Sequence, residues 1–164
     1  MSDEPNRETR LEDKVSFWEK MAFGVGTLPV FFAIAGVGSF AIPVYQMTLK
    51  VNPFLFGVAL AIPRFLDAFF DTMMGRISDN THSRWGRRRP YIVCGAFIQA
   101  CFFGLIWMVP TTWNSPEIVA YLIVSQILFY IGFTIYSVPY SSLGYEMTPD
   151  YNERTSVWSF TTFF

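Results

Sequence analysis

Charge is scarce in this sequence. Only 15% of its 164 residues are Asp, Glu, Lys or Arg, and the net charge is −1, where an ordinary soluble domain carries about 25% charged residues. A chain that binds nucleic acid needs a basic excess to meet phosphates, so nucleic acid is excluded as a partner. There is one histidine, His82, and there are two cysteines, Cys94 and Cys101. That is too few for a disulfide scaffold or a histidine–cysteine metal cluster. Both cysteines lie in one apolar run and are expected as buried thiols, and His82 is expected as a loop residue. No nucleophile has a histidine beside it and no glycine loop is built to cradle phosphate, so the sequence predicts neither an enzyme nor a cofactor. What abounds is apolar: 52% of the residues are Ala, Val, Ile, Leu, Met, Phe, Trp, Tyr or Cys, and Phe alone accounts for 18. This balance excludes disorder and makes a water-soluble globule a poor description.

The few charges are also unevenly placed. Residues 1–20 carry ten of them, and 21–47 carry none. A bilayer core about 30 Å thick needs roughly 20 apolar residues in helix, and 21–47 is long enough to span with tilt. Its acidic approach and its length separate it from a signal peptide. Further runs follow at 53–74, 91–110 and 118–143, and another begins at 157 and runs to residue 164. The expected architecture is an all-α membrane protein with a cytoplasmic tail over 1–20 and a transmembrane bundle over 21–164. Four spans are complete and the fifth is cut short, as in a piece of a longer protein. In the tail, Leu11, Val15 and Trp18 recur at helical spacing, which suits a short interfacial helix as well as a solvated segment. Ten of the twelve basic residues fall on one side of these spans, in the tail, in the link between the second and third, and after the fourth. The positive-inside rule makes that side, and the N-terminus, cytoplasmic, in a plasma or inner membrane. Pro29, Pro43, Pro63 and Pro139 each remove a backbone hydrogen bond inside a span and favour a kink. Gly24, Gly26, Gly36 and Gly38 are placed to let another helix approach.

The second span is the informative one. Arg64, Asp67 and Asp71, spaced three and four apart, share one helical face. On insertion scales three mid-membrane charges oppose insertion by up to about 7–10 kcal/mol, whereas the ten Leu, Ile, Phe and Val residues of this span offer only about 3–6 kcal/mol. The stripe must therefore face inward. One reading is a structural Arg64–Asp67 pair with Asp71 solvated at the interface. The other makes the carboxylates a cation site, binding Na⁺ as the one metal expected or sharing a proton because close negative charges raise one pKa. Arg64 then tunes the pair or fills the site when it is empty.

The link that follows runs Gly75-Arg76-Ile77-Ser78-Asp79 and then Ser83-Arg84-Trp85-Gly86-Arg87-Arg88-Arg89-Pro90. It resembles the cytoplasmic loop between helices 2 and 3 of the major facilitator superfamily, and its expanded form resembles that of the glycoside–pentoside–hexuronide:cation symporters, relatives of the melibiose carrier. Arg64-x-x-Asp67-Ala68-x-x-Asp71 and Gly144-Tyr145-Glu146-Met147-Thr148 point the same way. The resemblance implies the N-terminal part of a twelve-helix fold whose two halves enclose a sugar near the midplane and rock to alternate access. It implies a coupling ion, H⁺ or Na⁺, at Asp67 and Asp71 with Thr134, and a cytoplasmic gate built from Gly75, Asp79, Arg84, Gly86, Arg87 and Arg88. Asp79 would meet helix dipoles and arginines of the facing half, while the arginines also meet anionic lipid. Where the melibiose carrier has sugar-contacting side chains, this chain has Pro29, Ser137, Ser141 and Thr162. Gln99, Gln126, Tyr136, Ser137 and Tyr140 are the weaker substrate candidates, since sugars are held by a few fixed hydrogen bonds and aromatic faces.

The expected function is thus cation-coupled symport of a sugar or glycoside. Its partners are the small-molecule sugar, the lipid bilayer and the missing C-terminal half, without which these 164 residues are expected not to transport. The alternative is a membrane sensor or assembly subunit derived from a transporter half, which does not transport.

Overall fold

A computed structural model describes residues 14–164 except 82, 83 and 85. The described residues are helical without strands. Five helices follow in order: α1 Phe17–Thr48, α2 Pro53–Asn80, α3 Arg89–Trp107, α4 Ser115–Glu146 and α5 Tyr151–Phe163. The first four are long and apolar enough to cross a membrane. Most of them extend past the charge-free runs into polar flanks, because helix ends are set by caps rather than by hydropathy. Asn52 accepts from the Phe54 amide at 2.8 Å with Pro53 as first helical residue. Asp150 accepts from the Asn152 amide at 2.7 Å and so opens α5 before its apolar part begins. The start of α1 at Phe17 takes Glu19 and Lys20 into its first turn. The expected interfacial helix lies mostly outside the described residues, and so does His82.

The prolines act differently from one helix to the next. In α1 the backbone widens to π-helix at Phe32–Gly36, three residues after Pro29, and again at Ile42–Thr48, which contains Pro43. Such insertions relieve a helix whose hydrogen-bond ladder has lost a donor. They also explain which face is buried. Ala33, Val37, Ala41 and Tyr45 are all buried at a strict four-residue repeat, which in an ideal α-helix drifts by about 40° per step; the wider turns absorb that drift. By contrast α2 and α4 continue through Pro63 and Pro139, whose rings are fully buried.

The chain divides into two compact units, residues 29–140 and residues 1–28 with 141–164. In the first, the α1 repeat packs with Phe56 and Ala59 of α2, Ile106 of α3, and Leu122, Phe129 and Phe133 of α4. The Tyr45 hydroxyl donates to the Ile106 carbonyl, which keeps a buried phenol satisfied. The tightest packing joins α3 to α4. A Cβ on Gly95 would lie 2.5 Å from the Tyr136 backbone nitrogen, and one on Gly132 would lie 2.9 Å from that of Gln99. Each helix thus offers a glycine to the backbone of the other, one turn apart. Of the α1 glycines, a Cβ on Gly36 would meet the Phe103 ring at 3.3 Å, whereas one on Gly38 would meet nothing within 4 Å among the described residues.

In the second unit, Gly24 lies 3.0 Å from the Phe160 carbonyl, and Gly144 lies 2.5 Å from the Phe23 ring, both measured from an added Cβ. Phe23 and Tyr145 both contact the Trp158 ring.

The cysteines correct an expectation. Cys94 and Cys101 are exposed, not buried, two turns apart on the face of α3 that also carries the 71%-exposed Phe97. A membrane helix loses nothing by turning small apolar groups outward, so burial statistics of water-soluble proteins do not transfer to it.

Candidate cation site

The sequence places Arg64, Asp67 and Asp71 on one face of α2, and the structure treats the three differently. Asp67 is buried, 7% exposed, and its Oδ1 accepts a 2.9 Å hydrogen bond from the Thr134 hydroxyl of α4. The pairing is a favourable one, since a buried carboxylate left without a donor costs several kcal/mol. Asp71 is half-buried, one turn nearer the end of α2; its Oδ1 is closed to solvent and has no hydrogen-bond partner. Arg64 bonds to neither aspartate. Its Nη1 donates to the Tyr130 hydroxyl at 3.4 Å and its guanidinium carbon stands 5.7 Å from the centre of that ring. Among the described residues no ion pair links Arg64 to Asp67, where the structural-pair reading expects one, while Asp71 is half-buried with one oxygen dry. The site offers two carboxylates and a hydroxyl, an all-oxygen set suited to a hard cation or a proton. Among the described residues no group of three or more His, Cys, Asp or Glu that could hold a metal ion comes together.

Elsewhere along its length α4 carries other buried polar groups. Gln126 is 1% exposed and its Nε2 has no partner. Tyr136 and Tyr140 are buried and stack with centroids 5.5 Å apart, next to half-buried Ser137. Gln99 of α3 is committed on one side, since its Nε2 donates to the Pro29 carbonyl at 2.8 Å, while its Oε1 has no partner.

At the far end of α2 the loop residues assemble their own ion pair. Arg88 donates to Asp79 at 2.8 Å, so Asp79 is held by an arginine of its own loop in this structure. Thr81 and Tyr91 hydroxyls meet at 2.6 Å and tie the end of α2 to the start of α3. Gly86 adopts φ +97°, a left-handed conformation that favours glycine. Arg84 and Arg87 are exposed, and Gly75 stands 4.0 Å from Val138 of α4, again from an added Cβ. Two arrangements escaped sequence reasoning. One is the reciprocal contact of Gly95 and Gly132, signalled by Gly-x-x-x-Gln and Gly-x-x-x-Tyr. The other joins Lys20 to Glu153 at 2.7 Å in the other unit, which carries no local signal at a separation of 133 positions.

Four helices long and apolar enough to cross a membrane, with Asp67 buried on the second, describe a multi-pass membrane protein. Residues 22–164 match the family described as MFS/sugar transport protein. The chain belongs to that family. It is 29% identical over 153 residues to an uncharacterized symporter of Synechocystis, covering 90% of this chain and 28% of that protein. It is 26% identical over 144 residues to a glucuronide carrier protein homolog of Escherichia coli, covering 88% and 32%. It is 28% identical over 160 residues to the sodium-dependent lysophosphatidylcholine symporter 1 of Mus musculus, covering 94% and 30%. The chain thus spans about 30% of the length of the curated relatives it matches. Two of these relatives are named symporters and one a carrier protein homolog, in keeping with a family of transport proteins.

Proposed function

We propose that this chain is part of a secondary active transporter that couples a sugar or glycoside to H⁺ or Na⁺, with Asp67 and Asp71 as the cation-binding acids and Thr134 as a third oxygen. The observation that carries the reading is the Thr134–Asp67 hydrogen bond inside the membrane-spanning bundle, beside an Asp71 oxygen that is dry and unpartnered. A carboxylate in that state gains more from a visiting cation than it would in water, because the attraction is unscreened. The Thr134 hydroxyl holds Asp67 in place while the site is empty. On rotation it offers a lone pair to Na⁺, and it leaves Asp67 free to take a proton instead.

Neutralising the acids lets the site move between conformations without dragging bare charge through the bilayer. By linkage the cation raises cargo affinity by the same factor as the cargo raises cation affinity. The reading also places the N-terminus and the Arg84–Arg89 loop in the cytoplasm, with the protein in a plasma or inner membrane. Relatives named as sodium-dependent lysophosphatidylcholine symporters support a second reading of the cargo, a lysophospholipid, at the same cation site.

The test is counterflow and concentrative uptake by the full-length transporter in proteoliposomes, with a sugar panel and lysophosphatidylcholine, at fixed pH with and without Na⁺. Asp67→Asn and Asp71→Asn are expected to abolish uphill accumulation and to retain exchange. Undiminished accumulation in both variants would remove the acids from the coupling role, and accumulation of lysophosphatidylcholine alone would decide for the second cargo.

A further inference from the structure

Two polar groups inside the unit of residues 29–140 are left over from the packing of α2 and α4. The first is the Gln126 side chain. It is 1% exposed, and its Nε2, which carries two N–H donors, has no partner among the described residues. Ser125 beside it gives its hydroxyl to the Leu122 carbonyl at 3.1 Å. Leu122 and Phe129, one turn to either side of Gln126, belong to the apolar core. The second group is the Ala59 carbonyl of α2. Pro63 has no N–H to return to it, so its α-helical bond is missing. Ala59 and the Pro63 ring are both fully buried.

The pairings between α2 and α4 bring these groups to one level. Arg64 reaches Tyr130 and Asp67 accepts from Thr134, so the helices run in the same direction with positions 66 or 67 apart side by side. Gln126 therefore falls level with Ala59 and Leu60. The faces agree as well. Ala59 and Pro63 share the buried side of α2 with Asp67, which bonds to α4. Gln126 precedes Tyr130 and Thr134 by one and two turns, on the side of α4 that bonds to α2.

We propose that Gln126 Nε2 and the Ala59 carbonyl bracket a site for one O–H group, a buried water or a hydroxyl of the transported cargo. The chemistry is restrictive. The amide N–H repels a cation, the carbonyl repels a carboxylate or phosphate oxygen, and an apolar group satisfies neither side. An oxygen that accepts from Gln126 and donates to Ala59 satisfies both. Ordered water is one of the means by which carbonyls freed by proline inside a membrane helix are satisfied, and buried water collects where protein polar groups lack partners. A cargo hydroxyl reaches the same pair as the seam between α2 and α4 opens in the transport cycle. The cargo source rests on the symporter reading above; the site itself does not.

The test uses the purified full-length transporter. Gln126→Met removes the donor at similar shape, with Gln126→Leu as a second version of the same change, and Pro63→Ala returns an N–H to the Ala59 carbonyl. Tm of the empty protein is measured for the wild type, each single variant and the double variants, together with affinities for p-nitrophenyl glucoside and its monodeoxy analogues. If the site holds water, Gln126→Met is expected to lower Tm by a few degrees, because it strands the Ala59 carbonyl. With Pro63→Ala already present it is expected to leave Tm unchanged or raise it, because that carbonyl is bonded and the amide is the stranded group. The relative affinities of the sugars then stay as they are. If the site holds a cargo hydroxyl, Gln126→Met is expected not to lower Tm of the empty protein. One monodeoxy analogue then binds the wild type about fivefold to tenfold more weakly than the parent, and Gln126→Met erases that difference. The same Tm shift with and without Pro63→Ala, alongside unchanged sugar ratios, overturns the site. If none of these sugars binds, the comparison of Tm shifts decides alone. Absence of cation-driven uptake in the wild type would count against the symporter reading and does not bear on those shifts, so the two fail separately.

Discussion

Glu153 holds two groups at once. Its Oε1 accepts from the Lys20 ammonium at 2.7 Å and from the Val15 amide at 2.9 Å, while Lys20 also donates to Ser156 at 2.9 Å. The Lys20 hydrogen bond, then the Val15 amide and the Lys20 charge, outweigh partial desolvation and nearby Asp150, and hold the carboxyl below its ordinary range. The sign follows from linkage. A carboxyl that binds its proton more weakly folded than unfolded stabilises the fold above its ordinary value, roughly pH 4.3, and that stabilisation fades as pH falls through the lower folded value. The clasp joining residue 15 and Lys20 to the start of α5 is therefore expected to loosen on acidification. Hydrogen-exchange protection over residues 15–20 should fall in the wild type between pH 6 and pH 3. In Glu153→Gln it should be low throughout and nearly flat. Both side chains are only 12% exposed, and a charge-assisted hydrogen bond of this kind is worth about 1–2 kcal/mol, so a severalfold to roughly tenfold loss of protection is the expected size. Identical profiles for both proteins would show that the contact carries no stability.

The strongest constraint between elements is the α3–α4 contact, where Gly95 and Gly132 admit the backbones of Tyr136 and Gln99. A methyl at either position meets main-chain atoms at 2.9 Å or less. A rigid backbone cannot give way as a side-chain tip can, so overpacking here costs about 1–3 kcal/mol or more. Gly95→Ala and Gly132→Ala are each expected to lower the Tm of the full-length protein in detergent. Gly38→Ala, which meets none of the described residues within 4 Å, is expected to leave the α3–α4 contact intact and to cost less than either, since Ala favours helix over Gly by about 1 kcal/mol. Equal effects at all three positions would mean that intrinsic propensity, not the interhelical contact, decides.

The contrast shows what a sequence can and cannot disclose. Spans are legible because a bilayer demands some 20 apolar residues in a row, and the stripe of α2 is legible because three charges at helical spacing stand out in such a run. Which glycine touches a neighbour depends on the rotation of two helices about their axes, and Gly38 has the same local signature as Gly36. Thr134 entered through a family resemblance and not through its own spacing. The Tyr130 support of Arg64 is 66 positions away and had no signal beyond the suitability of its residue type.

For the whole molecule the relevant quantity is the sidedness of charge. Five of the twelve Lys and Arg lie between residues 76 and 89, four precede residue 21 and one is Arg154, whereas the link at 108–114 has none. Moving that basic excess across a membrane is opposed both by the positive-inside bias and by the anionic cytoplasmic leaflet, which attracts each Lys or Arg near its surface by about 1 kcal/mol. All the alternating spans then take their direction together, because each link is too short to let one helix invert alone. The expectation is testable at two exposed positions at opposite ends of the spans, Asn80 closing α2 and Thr112 between α3 and α4. Cys94 and Cys101, both exposed, are first changed to Ser to clear the background. In the full-length protein in intact cells, a membrane-impermeant maleimide is expected to label Thr112→Cys at once and Asn80→Cys only after permeabilisation. The reverse pattern would turn the arginine loop outward. It would also turn the Asp71 end of α2 toward the external solution, and with it the direction from which the coupling ion first reaches the acids.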